Sequence, residues 1–214
     1  MTNFPDDRDS AGPLVLGSGS PRRADLLRQL GLHFEVRPPD IDERPHEGES
    51  PTDYVARMAR SKVSAVQDIV GDHRLVLCAD TTVTRDGMIL GKPRDRQTCV
   101  DMLMTLSNAS HEVLTGVSLT DGRRTRQTVV ETIVRFRPLT IEECNDYWST
   151  GEPVDKAGGY GIQGMGAVLV QSISGSYSNV VGLPLTETAM MLRELGIDCL
   201  KGGWGEPAER RDTS

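Results

Sequence analysis

An α/β fold is what the sequence predicts, and three observations carry it. Residues 75–83 read as an apolar run, Leu75 to Ala79, that stops on Asp80 and continues into hydroxyl and small side chains. That is the pattern of a strand covered on both faces, and in α/β proteins ligands sit beyond the carboxyl ends of such strands. Residues 14–31 read as strand, small-residue turn and helix, and residues 111–136 as two β-prone runs joined by a turn.

With 214 residues the chain suits one large domain or two small lobes and buries roughly 70% of the surface its unfolded form exposes. The formal charge of −7 argues against a protein that coats nucleic acid, since phosphate-backbone affinity comes from clustered Lys and Arg. Cys78, Cys99, Cys144 and Cys199 lack metal-like spacing and read as reduced thiols of a cytosolic protein. The polar, acidic start resembles neither a signal nor a transit peptide, and no run is long enough to span a membrane. Residues 1–12 and 201–214 are expected to be disordered, leaving 13–200 as the folded domain.

Taken in order, residues 14–16 form a short strand, and Gly17-Ser18-Gly19-Ser20 turns into a helix with Ser20 as N-cap, Pro21 at the first position, Leu26, Leu27 and Leu30 inward, and Gly31 after its end. Arg22 and Arg23 oppose the helix dipole in the first turn. A bound anion reverses that sign, because the dipole, the free N–H groups, the Ser18 and Ser20 hydroxyls and both guanidinium groups would point at one phosphate chain; two solvated arginines are the plainer reading. Residues 34–36 form a strand that Pro38-Pro39 ends. The cluster Asp40-Ile41-Asp42-Glu43 is a solvated charge run or, more sharply, a source of magnesium ligands.

Ser50-Pro51-Thr52-Asp53 opens the next helix, whose inward face runs Val55, Met58, Ala59, Val66 and Ile69. Lys62 falls on that face, so it either reaches out to solvent or points into a cavity. After residues 75–83, Asp86-Gly87 is the strongest short-range hairpin signal; it pairs Arg85 with Met88, Val83 with Leu90 and Thr81 with Lys92, returning a lysine beside Asp80. Alone, Asp80 is as readily a turn cap, and Lys92 a solvated hairpin lysine. Residues 97–106 form an amphipathic helix with Val100, Leu103 and Leu106 inward. Residues 111–119 and 128–136 pair antiparallel. Thr140 to Glu143 has capping-box form and opens a helix ending near 149–151. Residues 167–170 read as a strand, 172–179 as a polar loop, and 184–195 as a final helix before Gly196.

Gly159, Gly161 and Gly164 satisfy G-x-G-x-x-G, but they follow a proline-containing loop rather than a strand, so a dinucleotide turn is rejected. The glycines instead suggest backbone close to a ligand, with Lys156 and Gln163 as its polar contacts. His33, His46, His73 and His111 show no metal spacing and read as structural or surface residues.

Ser18-Gly19-Ser20-Pro21-Arg22-Arg23, Asp40 to Glu43, Lys62, Ala79-Asp80-Thr81-Thr82-Val83, Gly91-Lys92-Pro93 and the run from Asp155 to Gly164 together closely resemble the Maf family over roughly residues 14–195. The resemblance implies a mixed α/β fold, Maf/ITPase-like, with a strongly curved central sheet flanked by helices and two lobes around a deep cleft. It also implies a homodimer, a divalent metal (Mg or Mn), and hydrolysis of a nucleoside triphosphate to the monophosphate and pyrophosphate. Asp80 matches the family's catalytic acid. Arg22, Thr81 and Gln163 match the positions that separate the branch acting on dTTP and UTP from the branch acting on 7-methyl-GTP, and all three carry dTTP/UTP-branch identities. Gly17 and Gly159 depart from the alanine common in the family.

The residue chemistry fits this independently. A triphosphate needs cations converging from separate elements, here Arg22, Arg23, Lys62 and Lys92, with Lys156 a further substrate contact. Hydrolysis needs an activated water, and Asp80 with Glu43 can hold a metal through oxygen while one carboxylate takes the proton. A Gln163 amide complements the N3–H and O4 of uracil or thymine. The alternatives are the same reaction on purine or 7-methyl-GTP substrates, and a nucleotide-binding regulator of cell division without turnover.

Overall fold

The computed structural model describes residues 14–201 together with 203–204. The expected disordered ends lie outside these residues, except for Lys201, Gly203 and Trp204. Ten strand and helix elements precede the cleft-lining segment: β1 (Leu14–Leu16), α1 (Pro21–Gln29), β2 (Phe34–Val36), α2 (Pro51–Val70), β3 (Val76–Arg85), β4 (Met88–Leu90), α3 (Arg96–Leu106), β5 (Ser110–Thr120), β6 (Thr125–Phe136) and α4 (Ile141–Ser149). After short 3₁₀ turns come β7 (Val170–Ser174), α5 (Tyr177–Val181), α6 (Leu185–Glu194) and a small pair, β8 (Ile197–Asp198) with β9 (Gly203–Trp204).

The seven-stranded sheet runs β2-β1-β3-β5-β6-β7, with β4 also paired to β3. It is mixed: β1 lies parallel to β2 and β3, while β3, β5, β6 and β7 are successively antiparallel. Strand β3 is its spine. One edge of β3 pairs with β5 from Val76 to Thr84. The other edge meets β1 at Val76 and Leu77 and β4 from Val83 to Arg85, so the stretch around Asp80 lies in the gap between two partners. Asp80 therefore stands in the middle of a ten-residue strand rather than at its end.

The same strand joins two apolar cores. Leu77 and Ala79 pack with Leu14, Leu16, Leu27, Val117, Leu119, Leu183 and Leu192, whereas Val83 packs with Leu103, Val113, Val134, Phe136, Tyr160 and Leu169. On the other face of the first half, Val76 and Cys78 meet Val63 and Val66 of α2. Two cores with a polar interval between them give the expected two lobes and cleft. Helix α2 crosses the sheet at Gly116, the partner of Asp80 in the ladder; a Cβ there would lie 2.3 Å from the Val55 carbonyl oxygen. That close approach brings the buried Lys62 down onto β3.

Local signals largely set the elements. Ser50 caps α2 by accepting from the Asp53 amide, and Thr140 and Glu143 form the capping box of α4. Asp86 and Gly87, both at positive φ (52° and 77°), make the two-residue hairpin turn. Four expectations need correction. The hairpin ladder stops at Leu90, so Lys92 does not pair with Thr81; the Gly91 carbonyl accepts instead from the Gly158 amide, and Thr81 pairs with Thr115. Residues 167–170 lie mostly in a 3₁₀ turn, and the strand falls on Val170–Ser174 within the stretch read as a loop. Ile69 is 67% exposed rather than inward, since it lies in the last turn of α2. Ser20 occupies the N-cap without a side-chain cap bond, and its own amide donates to the Ser18 hydroxyl.

Candidate active site

The gap along β3 opens into a cleft of about 760 Å³. Eleven of the residues singled out from sequence line it: Ser18, Ser20, Arg22, Arg23, Glu43, Lys62, Asp80, Thr81, Lys92, Lys156 and Gln163. They arrive from α1 and the turn before it, the loop after β2, α2, β3, the segment after β4, and residues 152–164. Convergence from so many elements is what a ligand with several negative charges requires.

At the floor, the Lys62 ammonium lies 2.6 Å from Asp80 Oδ1 and 2.6 Å from Glu43 Oε1. The lysine thus points into the cavity, and its apolar stem lies along the buried face of α2. Burial raises the Glu43 pKa, but the Lys62 hydrogen bond and charge, with Lys92 and Arg23 behind them, outweigh it and hold the carboxyl below its ordinary value. Glu43 reaches the floor because its loop is pinned to α2. The Tyr54 hydroxyl donates to the Glu43 carbonyl at 2.9 Å, and Arg57 grips Glu49 through two bonds of 2.6 Å. Asp40 and Asp42 are exposed, and Asp42 instead pairs with Arg44. Of the acidic cluster, Glu43 is the member that reaches the cleft.

Asp80 and Glu43 suit a divalent cation. Two carboxylate oxygens already converge within 2.6 Å of one positive centre, and magnesium binds through one or two carboxylates completed by water and substrate phosphates. No cluster of three or more metal-ligating His, Cys, Asp or Glu is present among the described residues.

The two arginines of α1 have different tasks. Arg22 Nη1 lies 3.3 Å from Asp155 Oδ2, and Asp155 also holds Lys156 Nζ at 2.8 Å. One carboxylate thereby bridges two cations of the cleft wall. Arg23 is half-buried and donates to the Gly182 carbonyl (2.8 Å), the Ser18 hydroxyl (3.2 Å) and the Thr81 hydroxyl (3.0 Å). Arg23 lines the cleft and through these bonds ties α1 to β3 and to the end of α5. Burial lowers its pKa, opposed by the attraction of Asp80. The Thr81 hydroxyl continues this chain to Thr115 at 2.9 Å, and Thr115 to the Asn179 carbonyl at 3.2 Å. Lys92 and Gln163 are exposed on the cleft wall.

The glycine-rich run has a packing reason of its own. A Cβ at Gly161 would lie 2.6 Å from Lys156 Cε, and one at Gly164 2.2 Å from Glu152 Oε2. These glycines make room for the protein's own side chains, although the segment does line the cleft. Sequence reasoning missed Tyr54, Glu152 and Asp155, which also line it. Tyr54 lies two turns before Lys62 on the same face of α2, a spacing that could have marked it; Glu152 carried no local signal.

The departures at Gly17 and Gly159 have local causes. A Cβ at Gly17 would lie 2.2 Å from the Cys78 sulfur, and Gly159 has φ of 71° with Cys99 sulfur 3.2 Å from its would-be Cβ.

A family model described as Maf-like protein matches residues 13–195. The dTTP/UTP pyrophosphatase of Symbiobacterium thermophilum is 50% identical over 192 residues, 90% of this chain and 98% of its own. That of Anaeromyxobacter sp. is 50% identical over 201 residues, 92% and 96% of the two chains, and that of Hahella chejuensis 48% over 186 residues, 86% and 92%. Among solved structures, the Staphylococcus aureus Ham1 protein aligns over 57% of this chain and 71% of its own, with a TM-score of 0.39 and 12% identity.

Proposed function

This chain belongs to the Maf-like protein family, and from that premise we propose that it is a nucleoside triphosphate pyrophosphatase. Its substrates are dTTP and UTP, and modified pyrimidine nucleotides of the same shape, each converted to the monophosphate and pyrophosphate. The observation that carries the reading is the convergence in one cleft of Asp80, Glu43 and Lys62 at the floor with Arg22, Lys92 and Lys156 on the walls. The near full-length relatives named dTTP/UTP pyrophosphatase support it.

The triphosphate neutralises the cations of the walls. In doing so it takes the place of Asp155 between Arg22 and Lys156, since a phosphate chain offers more charge and more acceptor oxygens than one carboxylate. Lys62 holds Asp80 and Glu43 close together and helps keep the Glu43 carboxyl ionised. One of the two carboxylates accepts the proton of the attacking water, as general-base catalysis at neutral pH requires. Asp80 and Glu43 would hold a Mg or Mn ion, which when bound supplies positive charge at the phosphate oxygens. Gln163, exposed on the wall, presents a carbonyl to the N3–H and an amide to the O4 of uracil or thymine.

The working form is a homodimer in the cytosol. Four unpaired cysteines suit a reducing compartment, and exposed Met165, Val168 and Ile173 follow one another along the approach to and course of edge strand β7, an apolar strip suited to a partner. No described helix is long and apolar enough to cross a membrane.

A panel of UTP, dTTP, CTP, GTP, ITP and 7-methyl-GTP with magnesium, scored for pyrophosphate, tests the substrate assignment. UTP and dTTP are expected to lead, and the Gln163→Glu variant to lose that preference. A lead for 7-methyl-GTP or ITP would replace the assignment, and an unchanged preference in Gln163→Glu would remove that residue from base recognition.

A further inference from the structure

The wall that carries Gln163 is fastened from behind by two side chains. Glu152 Oε2 accepts from the Met165 amide at 2.7 Å, and Oε1 accepts from the Gly166 amide at 3.1 Å and the Tyr147 hydroxyl at 2.7 Å. The Tyr147 hydroxyl itself accepts from the Gly161 amide at 3.0 Å. Residues 161 and 165–166 are thus both fixed to one Tyr-Glu pair, with Gln163 between them. The glycines complete the cradle. Side chains at 161, 164 and 166 would collide with Lys156, Glu152 and Tyr147, the last with a Cβ only 2.5 Å from the hydroxyl oxygen.

The pair is anchored rather than loose. Tyr147 is 5% exposed and packs in the second core with Leu103, Phe136 and Tyr160, so the segment is referenced to a lobe interior. Glu152 stays ionised: burial raises its pKa, but the Tyr147 hydroxyl and the Gly166 and Met165 amides outweigh that and hold it below the ordinary carboxylate value. An ionised carboxylate meeting two backbone N–H groups and a hydroxyl makes charge-assisted bonds, about twice as strong as neutral ones.

We infer that Glu152 and Tyr147 are positioning residues that set the presentation of Gln163, and with it base selectivity, while leaving the grip on the triphosphate to other elements. Arg22, Lys62 and Lys92 stand on α1, α2 and the segment after β4, and Lys156 is held by the Glu152 backbone carbonyl (2.5 Å) and by Asp155 (2.8 Å), partners that substitutions of the Glu152 and Tyr147 side chains leave in place. The inference rests on the reading of Gln163 as the base contact.

Calorimetric dissociation constants of the full chain for α,β-methylene-UTP, α,β-methylene-GTP and inorganic tripolyphosphate separate the two functions. Tyr147→Phe and Glu152→Gln are expected to lower the UTP-over-GTP affinity ratio by about five-fold or more while tripolyphosphate affinity stays within about two-fold. In a Gln163→Ala background neither substitution should change the ratio further, which a merely structural role would not produce. An unchanged ratio in the folded variants, or equal losses for UTP and tripolyphosphate, would overturn the inference. A wild type without preference for UTP would instead overturn the base reading beneath it, and is visible before any variant is made. Should Glu152→Gln fail to unfold cooperatively, Tyr147→Phe, which deletes one oxygen, decides alone.

Discussion

Replacing Lys62 with methionine removes the ammonium that lies 2.6 Å from both Asp80 and Glu43 and leaves the apolar stem in place. At that separation a charge pair is worth about 1.6 kcal/mol in bulk water and about 6 kcal/mol at an effective dielectric of about 20. The side chains of Lys62 and Asp80 are only 10% and 12% exposed, so the pair lies toward the buried limit, whereas Glu43 at 52% adds little to stability. Removing one partner of a buried pair typically costs about 3–5 kcal/mol. Because Asp80 lines an open cleft, we expect about 3 kcal/mol for Lys62→Met. Asp80→Asn should cost about 1 kcal/mol or less, since Lys62 keeps Glu43. The double variant should recover most of the loss, because an amide tolerates the site without a counter-charge. Urea unfolding of the four proteins measures the cycle. Wild-type stability in Lys62→Met, or additive losses in the double variant, would refute the electrostatic account of the cleft floor.

Three further outcomes follow from the same packing. Gly116→Ala places a methyl 2.3 Å from the Val55 carbonyl and must push α2 off the sheet, so we expect a loss of about 1–3 kcal/mol together with lower turnover, measured by unfolding and pyrophosphate release; a neutral variant would contradict the close crossing. Gly17→Ala collides chiefly with the Cys78 sulfur and also with Val66 and should cost a similar amount, about 1–3 kcal/mol, with part of that loss recovered in a Cys78→Ala background; equal costs in the two backgrounds would show that the sulfur is not the main obstacle. His111 is fully buried and bonded to the Tyr160 hydroxyl at 2.8 Å; burial, helped by Arg85, pushes its pKa down to about 4. Its contribution to stability is therefore fully present above pH about 6.5 and is lost as pH falls toward 4, amounting to about 3 kcal/mol. Unfolding curves against pH should diverge between wild type and His111→Asn across that window, and parallel curves would refute the assignment.

Much of this fold was legible because its signals are local. Capping serines and threonines, the Asp86-Gly87 turn and the apolar faces of α1, α2 and α3 act within a few residues of sequence, and the elements begin and end close to where those signals lie. The site residues could be listed for a related reason: cations at a helix start, on a core-facing stripe and beside a hairpin oppose ordinary placement, and the family resemblance supplied their order. What failed depended on contacts distant in sequence. The strand at Val170–Ser174 is held by β6, not by its own polar composition, and the ladder that carries β3 unbroken through Asp80 is built by β5. Arg23 reads like Arg22, yet the Gly182 carbonyl, 159 positions away, takes it into the wall. Asn179 sits in a stretch read as a loop, although it is fully buried and its amide donates to the Val113 carbonyl and the Thr132 hydroxyl at 3.0 Å each. The glycines near Gln163 indicated close approach, but only the folded chain identifies Glu152, Lys156 and Tyr147 as what approaches.

The proposed reaction is the splitting of pyrimidine triphosphates into monophosphate and pyrophosphate in this cleft, with Asp80 in the reacting machinery. Its most direct test is the product balance from UTP and magnesium with wild type and with Asp80→Asn, whose fold is checked by its unfolding curve. The account predicts equal amounts of UMP and pyrophosphate, no UDP or orthophosphate, and a fall in turnover of about a hundred-fold or more in Asp80→Asn. UDP with orthophosphate as the products, no pyrophosphate at all, or full activity in Asp80→Asn would contradict it.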